Sequence, residues 1–565
     1  MHWKPYDGTS YLDFPAVEQW CHDTAEAYSS FVTIEEIGKS RHQRSIFLMT
    51  LSLEAETAHQ RPAFWLDAGT HASERTGVMA ALYSISQWME GFQRRDPELL
   101  QWFSQHTVYV VPCISPDGYQ ALFEGYPYIR STLRPPRTHD VREGFEPMDI
   151  NGDGAIRLMR WKHPTGSFVK DPDLPMYMRP RKLADSAEDA YVVTVEGQFM
   201  QWDGTRWNAC PRRYGIDLNR NFPAHWKPFQ MFGMDSGDYS LSEPESRAVV
   251  DAFQARPNIA AAITHHTYTG CILTQPYRDD TPLSNNDIKL MEALAGDAVE
   301  NTDYKVYRVY PDFAYDLKKP TVGVWSDTIS TVFGVPGYTL ELWDPYGAAG
   351  LSIEKPAAFF AHPDHDIIRK VIGHFSQFQE LCSPWTEFEH PQLGTVEIGG
   401  LDYMRSIRNP PESLLQEECK KGHTVVSQAS QALPRAHVSH HCEFLDNNTT
   451  KLTVVVENTG FLPTSGLQRS EDLGRIGEVT VQLTLPEGCS ALTGAEQQTL
   501  GHLDGWGNVR VGPGQHFMHA SLSPRGQQGS CQWVLQGSGS VNVHWKAGRA
   551  GEGSLTIQLP SSTNE

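Results

Sequence analysis

The chain has 565 residues, more than one ordinary hydrophobic core can hold, so two or three domains are expected. Hydrophobic residues make up 39% and charged residues 20%, the balance of a globular chain and not of a disordered one. A formal net charge of -21, with 47 basic and 68 acidic side chains and no long basic tract, argues against nucleic acid and anionic membranes as partners.

The first residues, Met1-His2-Trp3-Lys4-Pro5-Tyr6, open no apolar segment of the length a secretory signal needs. No later stretch approaches the roughly 20 uncharged apolar residues of a membrane helix. Nine cysteines, scattered without a close pair, fit reduced thiols better than a disulfide framework, so a cytoplasmic location is expected. Residues 33–37 and 45–51 read as a strand pair around Gly38-Lys39-Ser40. A short buried strand at 64–67 ends in Ala68-Gly69-Thr70, and helical spacing follows over 78–89. Another apolar strand, 108–114, closes on Ser115-Pro116-Asp117-Gly118. Residues 138–213 break this rhythm. They are rich in Pro, Gly, Asp and Arg, contain hairpin-like pieces such as 191–202, and read as an insertion. Ser242-Glu243-Pro244-Glu245 has capping-box spacing with proline in the first turn, which predicts a helix through Phe253.

Strands at 259–264 and 338–342 and helices at 286–299 and 364–381 follow. Strands alternating with helices over 1–385 imply an α/β domain with a largely parallel sheet, whose sites gather at the carboxyl ends of the strands. Residues 386–435 read as a connector. From 436 to 561, short β-type runs such as 452–456 and 479–485 alternate with Gly, Pro and Asn, the pattern of a β-sandwich.

Four motifs sit at or just after strand ends. His71-Ala72-Ser73-Glu74 spaces an imidazole and a carboxylate so that both can face one point, as two of the three protein ligands of a catalytic zinc. Taken alone, this spacing is common in exposed turns. Thr264-His265-His266-Thr267-Tyr268 offers a histidine as a distant third ligand, although a lone histidine is more often a satisfied core residue. Asp217-Leu218-Asn219-Arg220-Asn221-Phe222 places an Arg fork beside an Asn amide, a pair suited to gripping a carboxylate. Glu341 lies within the apolar strand Thr339-Leu340-Glu341-Leu342, where a carboxylate is costly unless it has a partner or a task such as general base.

Taken in chain order, His71-Ala72-Ser73-Glu74, Pro116-Asp117-Gly118, Asp217–Phe222, His266-Thr267-Tyr268 and Glu341, the motifs resemble the zinc carboxypeptidase family of the carboxypeptidase A type. The resemblance covers about residues 11–381 apart from the insertion. With its insertion and β tail the chain looks like the larger bacterial members. It implies a mixed, largely parallel α/β sheet with flanking helices, followed here by the C-terminal β-sandwich. It also implies a hydrolase that holds one zinc ion per chain with His71, Glu74 and His266. His266 is preferred over His265 because the family pattern continues as in Thr267-Tyr268.

By the same resemblance, Glu341 is the catalytic base, Asn219 and Arg220 hold the substrate's terminal carboxylate, and Asp217 orients a zinc-bound histidine. An oxyanion-stabilising arginine is expected in the stretch Arg130 to Arg137; Arg134 fits best, with Arg130 and Arg137 as rivals. Ser73 stands where the pancreatic enzymes carry a subsite Arg, so that contact is missing. Tyr315 lies several residues off register from the family's mobile Tyr. The expected substrate is a peptide or small amide with a free carboxylate. Two other readings stand beside carboxypeptidase: a zinc amidase or deacylase on a small or cell-wall-derived substrate, and a non-catalytic binding protein on the same fold.

In the insertion, Asp149, Asn151 and Asp153 with Gly154 resemble the start of an EF-hand calcium loop, but Arg160 stands at the twelfth position, where a bidentate Glu belongs. An Asx-rich turn is the preferred reading over calcium.

Overall fold

A computed structural model describes residues 3–135, 141–231, 233–314, 316–446, 448–512, 523 and 525–560. Its centre is an eight-stranded mixed sheet: β1 (Val32–Lys39), β2 (Ser45–Leu51), β3 (Ala63–Ala68), β4 (Thr107–Val111), β5 (Ile259–Thr267), β6 (Cys271–Thr274), β7 (Lys305–Arg308) and β8 (Gly337–Leu342). The spatial order is β1-β2-β4-β3-β5-β8-β6-β7. The middle four, β4-β3-β5-β8, run parallel, and β1, β2 and β6 pair antiparallel. Strands β3, β4 and β5 are buried throughout, as expected of parallel strands covered on both faces.

On one face lie α1 (Arg75–Gln93), α3 (Asn285–Val299) and α5 (Glu412–Ser430); on the other lie α2 (Pro244–Gln254) and α4 (Trp325–Phe333). Helix α5 comes from the stretch read as a connector. Its Leu415, Cys419, Val425, Val426 and Ala429 are buried in the same core as α1. The other half of that stretch is also ordered: strands Cys382–His390 and Gly394–Leu401 extend a six-stranded sheet otherwise built from residues of the insertion. Arg160 fastens the two, its guanidinium forked onto Glu397 at 3.0 and 2.9 Å.

Three local expectations change. Residues 191–202 are two strands in different sheets, Tyr191–Val195 and Gly197–Met200, and not a hairpin. The buried Glu196 between them turns the chain by accepting from the backbone N–H groups of Ile150, Asn151 and Arg157. The helix expected over 364–381 is His365–Phe375 followed by a tight turn, in which the Gln377 N–H bonds to His374 O and the Phe378 N–H to Phe375 O.

Helix α2 begins as expected at Pro244, but the capping box is not made. Ser242 bonds Glu243, and Glu245 accepts from the Arg41 N–H at 3.0 Å. Burial, with the nearby Glu243 and Asp117 adding to it against the Arg41 bond, pushes the Glu245 carboxyl up to about 7 from its ordinary 4.5. The folded state therefore keeps a proton that the unfolded chain has already lost between those values. The stabilisation is complete below about 4.5 and is lost as pH rises through about 7. Glu245→Gln, a neutral copy of the protonated form, should leave stability nearly unchanged at pH 4 and raise it at pH 8, by up to about 3 kcal/mol. Thermal melts at the two pH values test this, and an equal effect at both would contradict it.

Beyond α5, two four-stranded antiparallel sheets face each other across Leu452, Val454, Val481, Trp533 and Val543. Arg549 joins this β-sandwich to the catalytic layers. Its buried guanidinium donates to the carbonyls of Pro257, Ile259, Phe333 and Ser465 at 2.6–3.0 Å, bracing the start of β5. No helix among the described residues is long and apolar enough to cross a membrane.

Candidate active site

The end of β3 turns sharply at Gly69, whose φ is +71°. A side chain there would press on Cys113 and on the Ile114 backbone at 3.1–3.3 Å. The turn delivers His71, and three residues on Glu74 stands at the N-cap of α1. Strand β5 delivers His266. Its register pairs His266 with Glu341 of β8, so the two share one face of the sheet at the carboxyl ends of the strands. His265, one residue earlier, points to the opposite face and donates from Nδ1 to Gly77 O of α1 at 3.1 Å. Strand alternation thus separates the two histidines.

His71, Glu74 and His266 converge, all buried, with one ligand atom from each within 4.8 Å of the others. His71 Nδ1 lies 3.0 Å from Glu74 Oε1 and 2.9 Å from His266 Nδ1, and His266 Nδ1 lies 2.9 Å from Glu74 Oε2. Two imidazole nitrogens and a carboxylate facing one point bring lone pairs together, an arrangement that a cation resolves. The donor set of two nitrogens and one oxygen suits zinc and leaves further positions open. Burial and the neighbouring His71 pull His266 down to about 4, so it is neutral, as a ligand must be. Among the described residues this is the single group of three such side chains close enough to hold a metal.

Asp217 stands behind His71, its Oδ1 3.1 Å from Nε2, and thereby orients the ring. Burial opposes ionisation at Asp217, but Arg130, Arg220 and His71 together hold its carboxyl well below the usual range. Arg130 bridges the two carboxylates, with Nη1 2.9 Å from Glu74 Oε1 and Nε 3.3 Å from Asp217 Oδ2. Its own carbonyl accepts from Ala72 N–H at 2.7 Å, which ties it to the metal loop.

Arg134, favoured in the sequence as the oxyanion donor, lies elsewhere. Its guanidinium is held by Asp235 at 2.9 Å, Asp238 at 2.7 Å and Glu243 at 3.5 Å, and it does not line the cavity. Arg130, by contrast, lines the cavity. Arg137 and Tyr315 fall outside the described residues.

Glu341, Arg130, Arg220, Tyr128 and Tyr268 line one cavity of about 320 Å³, whose apolar lining is Phe229, Met231, Met234, Phe313 and Phe360. Burial, then the charge of Glu74, raises the Glu341 carboxyl well above the ordinary range against the pull of Arg130 and Arg408. Asn219 lies buried beside Arg220 and behind the cavity wall. Its Oδ1 accepts from Trp325 N–H at 2.9 Å, which fixes the amide's orientation. Trp325 and Asp327 are buried in α4 and do not line the cavity; Trp325 donates to Asp67 and Asp327 accepts from Gln275.

The oxygens of the Asp149–Asp153 loop bond its own backbone: Asp149 accepts from Gly152 and Gly154, Asn151 from Asp153, and Asp153 from Ala155. The loop is a set of Asx turns. Sequence reasoning missed two arginines of the cavity, Arg212 and Arg408; the latter reaches it from the segment before α5.

A family model described as zinc carboxypeptidase (peptidase M14) matches residues 17–164 and 189–373, more than half of the chain. A second model, described as a domain of unknown function, matches 436–558. Carboxypeptidase B of Astacus astacus is 28% identical over 117 residues, 21% of this chain and 36% of that protein, so the match spans about a third of that relative. Carboxypeptidase O of Bos taurus is 22% identical over 360 residues, 60% of this chain and 72% of the relative. Among solved structures, thrombin-activatable fibrinolysis inhibitor aligns with a TM-score of 0.44 at 18% identity, over 76% of each chain.

Proposed function

Because the chain belongs to the zinc carboxypeptidase family, we propose that it removes the last residue from peptides that end in a free carboxylate. One observation carries this reading: the carboxylate Glu341 and the guanidinium Arg220 line the same cavity as the Glu74 of the His71–Glu74–His266 cluster.

His71, Glu74 and His266 would hold the zinc, which when bound supplies Lewis acidity to the site. Glu341 takes a proton from the attacking water and passes it to the leaving amine. A carboxylate whose proton affinity is raised by burial is the better base for that task. Arg130, fixed by Glu74 and Asp217, offers N–H donors to the oxygen that gains charge as water adds. Arg220 holds the terminal carboxylate and so sets which bond is cut, while Asn219, which does not line the cavity, braces the same turn through the Trp325 N–H. The apolar wall suits an apolar terminal side chain.

The word carboxypeptidase is tested at Arg220. A guanidinium fork pairs with both oxygens of a carboxylate and gains little from an amide. Arg220→Ala should lower kcat/KM on free-acid peptides by the worth of a charged hydrogen bond, about 1.5–3 kcal/mol or roughly ten- to a hundred-fold. Amidating the substrate's C-terminus should cost the wild type a similar factor and cost Arg220→Ala little more, because both changes remove one interaction. Equal cleavage of acid and amide by the wild type would favour an amidase. Absence of both zinc and turnover would favour a binding protein.

A further inference from the structure

Arg408 lies beyond the residues matched by the family model, which end at 373, yet its side chain lines the same cavity as Glu341 and Arg220. It is held there deliberately. The next residue, Asn409, donates to Ser73 O at 2.9 Å and accepts from the N–H and hydroxyl of Thr76 at 3.1 and 3.0 Å, which clamps the segment onto the metal loop and the start of α1. The guanidinium sits among the rings of Tyr128, Tyr268 and Tyr403, 5.1–5.9 Å from their centres. Nη1 donates to Thr267 O at 3.2 Å and lies 3.4 Å from Glu74 Oε1; Nη2 donates to the Tyr403 hydroxyl at 3.2 Å. Nε is buried with no hydrogen-bond partner.

This charge is not needed to neutralise the site. Glu74, the carboxylate it touches, is already engaged by His71, His266 and Arg130, and would be committed to the zinc. The cavity carries four arginines, Arg130, Arg212, Arg220 and Arg408, against the carboxylates Glu74, Asp217 and Glu341. With a divalent cation bound it is positive beyond what one terminal carboxylate offsets. The positions differ as well. Arg130 bridges Glu74 to Asp217, and Asp217 leads directly into Asn219-Arg220, whereas Arg408 is held by Glu74, the Thr267 carbonyl and the Tyr403 hydroxyl. Arg408 shares the cavity with Arg220 and Glu341, within which the acyl part of a substrate anchored at Arg220 has to lie.

We propose that Arg408 recognises a carboxylate on the acyl side of the scissile amide, so that the substrate is acidic on both sides of the bond that is cut. This rests on the reading of Arg220 as the terminal-carboxylate clamp. The test compares N-acetyl-Glu-Phe with N-acetyl-Gln-Phe, which differ in charge and hardly in shape, using zinc-loaded protein. The wild type should prefer the Glu substrate by about ten-fold or more in kcat/KM. Arg408→Ala should bring that ratio to about one, and Arg408→Lys, a point charge without the fork, should keep part of it. Arg408→Gln, which keeps the stem packed among the tyrosines, replaces the alanine variant should that fail to fold. A wild-type ratio near one, or a ratio that persists without Arg408, overturns the inference while leaving carboxypeptidase activity standing. Failure of zinc-loaded protein to cut either substrate overturns both readings together.

Discussion

His71→Ala should leave the protein folded but without zinc and without turnover. Purified wild-type protein should contain about one zinc per chain, the capacity of one site with three protein ligands. The substitution leaves Glu74 and His266 as the remaining pair and removes the ring that Asp217 orients. Metal analysis after dialysis should then fall from about one equivalent to near zero, and peptide cleavage should fall with it to background. The melting curve is the control for folding, because the core around β3 and α1 does not depend on this side chain. Retention of a full equivalent of zinc by His71→Ala would sink the ligand assignment.

Glu341→Gln should have the opposite signature. Here zinc content, fold and KM stay close to those of the wild type, while kcat drops by roughly 10² to 10⁴. The amide has the shape of the carboxylate and cannot carry the proton. The register that pairs Glu341 with His266 places it beside the metal ligands but not among them, which is why zinc should persist. Near-normal turnover would remove Glu341 as the base and return attention to the other groups lining the cavity. A joint loss of zinc and activity would instead make Glu341 a structural support of the metal site. The two variants together separate holding the metal from moving the proton.

Much of the catalytic layer was legible from the chain itself. The apolar runs at 64–67, 108–114 and 338–342, each closed by a turn, mark buried strands of the central sheet. His71 and Glu74 are three residues apart at a strand-to-helix junction, so backbone geometry alone brings them to one point. Asp217, Asn219 and Arg220 likewise share one short turn. These patterns are local: a few residues of strand, turn or helix determine where each side chain goes.

The remaining assignments needed the tertiary structure. Arg130 and Arg134 are four residues apart, and the sequence favours Arg134. What separates them is that Arg130 meets Glu74 and Asp217 while three distant carboxylates capture Arg134. The stretch read as a connector has weak patterning because its strands complete a sheet begun more than two hundred residues earlier, as in the 237-residue separation of Arg160 and Glu397. Arg408 approaches Glu74 across 334 residues of chain, and no period or spacing in the sequence encodes that meeting. Local backbone geometry determined the metal-binding turn and the strands, because its forces act over a few residues. Which arginines enter the cavity was decided only by packing, because that choice is made by contacts between segments that are neighbours in space and strangers in sequence.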